Sequence, residues 1–201
     1  MANYNAIRYN VPYSDSGAGS LRLIKTLTAS SSGTLSFVDG TSDVVLDSTY
    51  KEYLFIFNNI HPATDTAFLS FNMSVDSGSN YNVTKTTTLF QVKHNEAGDN
   101  IGLSYNTSYD LAQSTGFQYI SSSLGNANDE CGNGILHLFN PSSTTFVKHF
   151  MSKSTNSHDS DGEFGYFSAG YGNTTSAVDA VQFKMSSGNI DAGTIQLFGV
   201  L

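Results

Sequence analysis

The sequence predicts an all-β protein: an antiparallel β-sandwich, jelly-roll-like, preceded by a short extended N-terminal arm. Ser, Thr and Asn make up about a third of the 201 residues, and none of them favours a helix interior. The chain holds 14 Phe and 11 Tyr, which are typical of strands, while only 13% of its residues are charged. Short segments with an apolar residue at every second position alternate with clusters of Gly, Ser, Asn and Asp, as in strands joined by turns.

The first twenty residues differ from the rest and predict an arm. Tyr4, Tyr9 and Tyr13 stand among Asn, Ser and Gly, and a Gly/Ser-rich stretch follows them. We expect residues 1–20 to attach the protein to a partner, with a frayed terminus as the alternative. Residues 21–201 then form one β-sandwich domain. The arm contains no apolar run of signal-peptide type, so synthesis in the cytoplasm of a host is expected.

About a dozen short segments predict the strands, and turn residues bound each of them. In chain order they are residues 21–28, 34–38, 44–46, 53–57, 67–75, 86–93, 101–105, 117–121, 135–140, 145–151, 164–169, 177–185 and 194–200. Residues 67–75 alternate strictly between apolar and polar side chains, which predicts a half-buried strand. Residues 53–57 are apolar throughout, which predicts a central strand covered on both faces.

One hairpin is predicted in register. Residues 135–140 lead into a turn at 141–144, where Pro fits the first central position, and then into a second strand. The expected cross-strand pairs are Phe139 with Phe146, Leu138 with Val147, and Ile135 with Phe150. This register places His137 and His149 on opposite faces, so they would not share a metal ion.

The sequence predicts no cofactor and no enzymatic activity. None of the His spacings that bind zinc occurs, the nucleophile motif GxSxG is missing, and Ser152 and Ser154 do not form an SxxK motif with Lys153. Residues 126–130 and 159–163 are oxygen-rich; hydrated turns are the favoured interpretation of both, and calcium loops the alternative. A glycosidase whose two carboxylates meet only in space stays open as a further alternative.

Two polar stretches predict a recognition surface. Residues 95–115 contain Tyr105 and Tyr109, and residues 152–173 contain Tyr166 and Tyr171, among Asn, Ser, Gly and Asp. This composition is typical of recognition loops, and tyrosine rings can stack on the sugars of a host-surface glycan. The alternative is that sandwich loops are simply rich in turn residues.

Charge and hydropathy exclude two classes of partner. The formal net charge is −8, and the nine Lys and Arg residues are scattered, so the clustered cations that nucleic acid requires are missing. No segment approaches the roughly 20 apolar residues of a membrane span, so membrane insertion is not expected.

Several phrases together resemble a known group of proteins. They are LIKTLTAS at 23–30, YKEYLF at 50–55 with NIHP at 59–62, YNVTK at 81–85, NPSSTT at 140–145 followed by VKHF at 147–150, and QFKMSSGNI at 182–190 with GTIQLFGV at 193–200. As a set they resemble virion structural proteins of marine tailed bacteriophages, described as tail-fibre or capsid-associated proteins. The resemblance covers most of residues 21–201.

The resemblance implies a non-enzymatic protein displayed on the surface of a virion. A tail-fibre or appendage protein with host-surface recognition is the first expectation, and a capsid decoration or head-fibre protein is nearly equal to it. A carbohydrate-binding module is a further alternative. The implied partners are other virion proteins and further copies of the chain itself, as a homo-oligomer with a trimer favoured.

Overall fold

The computed structural model describes residues 20–201 of the protein, and the predicted arm residues Tyr4, Tyr9 and Tyr13 lie outside that range. Strands are the regular structure of this part of the chain, which confirms the predicted fold class. The strands are β1 (Leu21–Thr28), β2 (Leu35–Val38), β3 (Glu52–Pro62), β4 (Leu69–Ser74), β5 (Lys85–Asn95), β6 (Ile101–Tyr105), β7 (Gln118–Tyr119), β8 (Gly132–Phe139), β9 (Lys148–His158), β10 (Gly162–Gly172), β11 (Ala180–Met185) and β12 (Ile190–Val200).

The strands form two antiparallel sheets with jelly-roll connectivity. The larger sheet has the order β1-β12-β3-β8-β9-β10-β5-β6, and the smaller has the order β2-β11-β4-β7. The first four strands of the larger sheet match the four of the smaller in order: β1 with β2, β12 with β11, β3 with β4, and β8 with β7. In each match the two strands are consecutive in the chain. That correspondence is the strand order of a double-sheet jelly roll.

Strands β9, β10, β5 and β6 extend the larger sheet beyond the smaller one; we call them the extension. The segment 109–124, which includes the two-residue strand β7, covers the inner face of the extension where the smaller sheet ends. The Ser154 hydroxyl donates a hydrogen bond to the Ile120 carbonyl, and the Asn156 amide donates one to the Ser122 carbonyl at 3.2 Å. The opposite face of the extension has no such cover within residues 20–201.

The main core lies between the two sheets and centres on Phe183 of β11. Its ring centroid lies 5.2 Å from those of Phe55 and Phe57 on β3. It lies 6.3 Å from those of Phe37 on β2 and Phe71 on β4. All five side chains are at most 2% exposed. One aromatic cluster therefore joins strands of both sheets.

The two strands singled out by their sequence pattern differ in outcome. β3 lies between β12 and β8, which confirms the central strand predicted at residues 53–57. β4 is buried at all six positions, so the prediction of a half-buried strand was wrong. The polar side of β4 is covered because Asn72 donates hydrogen bonds to the carbonyls of Tyr81, at 2.6 Å, and Thr115, at 2.9 Å.

Val44 and Leu46 are buried, but residues 44–46 do not form the predicted strand. Ser42 and Asp43 just before them adopt positive φ angles of 51° and 67°, which turn the chain away from an extended path. The Leu46 amide then donates to the Asp39 carboxylate at 2.8 Å. The Asp39 carboxylate therefore accepts a hydrogen bond that the backbone of a neighbouring strand would otherwise accept.

The β8–β9 hairpin is shifted by three residues from the predicted register. Leu138 lies opposite Phe150 and His137 opposite Met151, so the predicted pairs were wrong. The loop is longer because Asn140 adopts a φ of 46° and its amide donates to the Lys51 carbonyl. An odd shift reverses the relative faces, so His137 and His149 lie on the same face rather than on opposite ones.

Candidate functional site

The face of the larger sheet that points away from the smaller one, here called the outer face, is unusually apolar. Leu89 and Phe150 point inward and are at most 1% exposed. The strand register places most of the exposed large apolar side chains on the outer face: Leu21, Leu23, Phe90, Val92, Ile101, Leu103, Tyr105 and Met151. Soluble monomers rarely expose large apolar patches, and those that do use them to bind other molecules. The outer face is therefore the candidate interaction surface.

Two shallow depressions cross the outer face where β5, β10, β9 and β8 lie side by side. Their volumes are about 350 and 410 Å³, and Thr88, Met151 and Ala169 line both. In the first depression, Phe90 and Phe167 stack with their ring centroids 4.8 Å apart. The small side chains of Thr88 and Ala169 leave room for a ligand between larger neighbours.

Cationic and imidazole groups border these depressions. The Lys153 ammonium lies 5.7 Å from the centroid of the Phe167 ring. The Nδ1 atom of His137 is hydrogen-bonded to the Glu52 carboxylate. In the second depression His149 lies against Tyr171, with 5.9 Å between ring centroids. This lining offers ring faces, apolar contact and a cation, which suits a stacking ligand or an apolar partner surface.

The four tyrosines predicted for recognition do not form one surface. Tyr105 is 52% exposed on the outer face, and Tyr171 is half-buried on the same face. Tyr166 points inward and is fully buried, and Tyr109 packs against the same inner cluster. The prediction was wrong for Tyr166, because residues 152–173 form the β9–β10 hairpin rather than a loop, whereas Tyr109 is only partly buried.

The polar ends of two of these tyrosines have defined partners. The Tyr166 hydroxyl lies 2.6 Å from the Ser122 hydroxyl, and burial raises the pKa of Tyr166 well above its ordinary value. The Tyr105 hydroxyl donates to the Asp110 carboxylate at 2.5 Å, and this hydrogen bond raises the pKa of Tyr105. Both hydroxyls are therefore occupied within the chain, and the exposed part of Tyr105 is its ring.

The sequence reasoning missed Phe90, Phe167 and Met151 as surface residues. A signal for Phe90 was present: residues 86–93 carry apolar side chains at both odd and even positions, Leu89 on one face and Phe90 with Val92 on the other. Such a pattern indicates that both faces of a strand contact something. Within residues 20–201, the chain covers only the Leu89 face of β5.

The two oxygen-rich loops meet at one end of the larger sheet. Residues 126–130 and 159–163 line a single polar depression of about 440 Å³. The Glu130 carboxylate accepts a hydrogen bond from the Ala127 amide at 2.7 Å, which closes its own loop. Within residues 20–201 no three His, Cys, Asp or Glu side chains are placed to hold a metal ion together.

Two lysines are buried on the inner face of the extension. The Lys85 ammonium donates to the side-chain oxygen of Asn72 and to the Val83 carbonyl, and burial lowers the pKa of Lys85 to about 7. The Lys148 ammonium donates to two backbone carbonyls, at 2.7 and 3.2 Å, and burial lowers its pKa as well. Oxygen atoms of the chain thus solvate both ammonium groups, and these hydrogen bonds hold the covering loops against the sheet.

The described residues contain no helix that is long and apolar enough to cross a bilayer. The chain matches no family model, no curated protein and no solved structure.

Proposed function

We propose that this chain is a non-enzymatic structural protein of a bacteriophage virion, displayed on the particle as part of a tail fibre or appendage. The apolar outer face is the observation that carries the proposal. A surface of this kind is unfavourable in water for an isolated molecule and suits a component of a larger assembly. The jelly-roll connectivity is compatible with this role, since viral capsid and lectin domains use that architecture, although a fold alone does not determine function.

The arm has a separate role in this proposal. Within residues 20–201, both hydrophobic clusters of the domain are built from residues between Ala29 and Leu197, and we expect this domain to fold without residues 1–19. We assign those residues to attachment, and the outer face to contacts made once the protein is in place.

Deleting residues 2–19 tests this assignment. We expect the shortened protein to fold with an unchanged β spectrum by circular dichroism, because it keeps every residue of both clusters described above, and to be missing from purified phage particles. The measurement is the amount of protein that sediments with particles when the shortened gene replaces the full one.

The full-length gene supplied in the same way is the control for expression and recovery. Incorporation of the shortened protein at the full-length level would show that the arm does not attach it. The number and position of copies in an intact particle, seen by electron microscopy, would separate the tail from the capsid: hundreds of copies would favour a capsid decoration protein.

The aromatic depressions favour carbohydrate binding as a second candidate function. Sugars stack on exposed ring faces, and the Phe90–Phe167 pair lies in the first depression. We expect the purified full chain to bind host-surface glycans on an array, and Phe167→Ala to weaken that binding by at least about tenfold. Phe146→Ala is the matched control, because Phe146 is 68% exposed in the β8–β9 loop. Equal binding by the two variants would exclude this depression as the glycan site.

A further inference from the structure

Strand β6 is an unprotected edge of the larger sheet. Within residues 20–201 it pairs only with β5, and this pairing is regular, without a bulge. Its outward side chains Ile101, Leu103 and Tyr105 are 63%, 69% and 52% exposed. The free edge of such a strand presents unpaired N–H and C=O groups to any other extended chain.

The opposite edge of the same sheet is protected. Strand β1 carries Arg22 and Lys25, and its pairing with β12 is interrupted by a register shift between Leu23 and Lys25. Charged side chains and bulges are the usual means by which edge strands avoid pairing with other chains. β6 contains neither a charged residue nor Pro, so the two edges of this sheet are built differently.

Residues 7–13 have the sequence of a strand that fits this edge. Ile7, Tyr9, Val11 and Tyr13 alternate with Arg8, Asn10 and Pro12. Added beside β6, the first set would cover the apolar outward side chains, and the second set would lie on the side of Gly102 and Ser104. Pro12 has no N–H, so the even-numbered residues must direct their backbone groups away from β6.

The arm of the same molecule is too short to reach β6. Seven strand spacings of about 4.8 Å separate β1 from β6, or about 34 Å across the sheet. Followed from strand to strand across the sheet, the register puts Leu21 of β1 in line with Thr86 of β5. Tyr105 of β6 pairs with Phe90, which lies four residues or about 13 Å further along β5. The seven residues from Tyr13 to Ser20 span at most about 25 Å. The arm that reaches β6 must therefore belong to another copy.

We propose that residues 7–13 of one copy add to β6 of a second copy as a further strand of its larger sheet. The contact uses different surfaces on the two partners, so it passes from copy to copy in one direction and can close into a ring. This inference goes beyond the proposed function, since it concerns how copies join in solution and is tested without particles.

Analytical ultracentrifugation of the full chain and two pairs of variants tests the proposal. We expect the full chain to form a closed oligomer, and Leu103→Asp to weaken self-association by at least about tenfold. Tyr9→Pro should weaken it similarly, because residue 9 directs its N–H toward β6. Asn10→Pro should not, because residue 10 directs its N–H away. Circular dichroism will verify that each variant keeps the β spectrum.

A mixing experiment identifies the two halves of the contact. The variant lacking residues 2–19 retains β6, and Leu103→Asp retains the arm. Each should be monomeric alone, and the two together should form a one-to-one complex. A monomeric full chain would overturn the proposal, as would equal effects of Tyr9→Pro and Asn10→Pro. If the full chain self-associates but is not found in purified particles, this result would count against the proposed virion role alone.

Discussion

Replacing Phe183 with Ala lowers the free energy of unfolding by about 3–5 kcal/mol, because the change removes a buried aromatic ring and leaves a cavity. Phe183 is fully buried and contacts aromatic rings from three other strands in both sheets. The loss therefore weakens the attachment of one sheet to the other. Urea denaturation, followed by tyrosine fluorescence and circular dichroism, measures the effect as a lower midpoint.

Phe146→Ala is the matched control for this prediction. It removes the same side-chain atoms at a position that is 68% exposed, so we expect a change within about 0.5 kcal/mol. Similar losses in the two variants would contradict the assignment of Phe183 to the centre of the core. An unchanged slope of unfolding free energy against urea is also expected, since the folded and unfolded states keep their exposed areas.

The stability of the protein rises with pH from about 7.5 to 9.5 because of the buried Lys85. Burial lowers the pKa of Lys85 to about 7 in the folded state, whereas an unfolded lysine titrates near 10.4. Between these values the unfolded state binds one more proton than the folded state. Raising the pH then favours the folded state by about 1.4 kcal/mol per pH unit. Below pH 7 both states are protonated and the contribution levels off.

The variant Lys85→Met tests this prediction. Methionine fills most of the same volume and does not titrate, so the rise in unfolding free energy between pH 7.5 and 9.5 should become shallower by about 1 kcal/mol per unit. Lys148 adds a slope in the same direction, since burial lowers its pKa too. Burial raises the pKa values of Tyr53 and Tyr166, which reduces stability above about pH 10, so the measurement stops at pH 9.5.

Lys153→Met is the control, because Lys153 is exposed on the outer face. It should leave the slope unchanged. An equal slope in the parent protein and Lys85→Met would show that Lys85 is already charged in the folded state. The absolute stability of Lys85→Met is less informative, since the loss of hydrogen bonds to Asn72 and Val83 opposes the removal of a buried charge.

Local alternation identified most strands but not their partners. Residues 21–28 and 101–105 match β1 and β6 at both ends, because an apolar residue at every second position is a property of the strand itself. The β8–β9 register depends instead on the hydrogen bond from Asn140 to Lys51. Lys51 lies far away in the sequence, and no local pattern reveals such a contact.

Small polar residues on inward-facing positions account for the main error about the site. Ser152 and Ser168 are buried, with their hydroxyl oxygens 2.6 Å apart across β9 and β10. Each hydroxyl is the hydrogen-bond partner of the other, so both side chains can be buried. From the sequence alone, both serines were interpreted as loop residues. The outer face escaped prediction for the complementary reason: alternation shows that a face is apolar without showing what covers it.

The place of β12 in the larger sheet has a consequence for how the protein is made. β12 lies between β1 and β3, so neither of these early strands has its full set of partners until residues 190–200 have left the ribosome. Until then β1 and β3 lack β12 as a partner and must be kept from pairing with other chains. Domains of this kind fold late and depend on pairings that are distant in sequence. Completion of the jelly roll therefore waits for the emergence of β12, and assembly of the arm-bearing protein must wait for it.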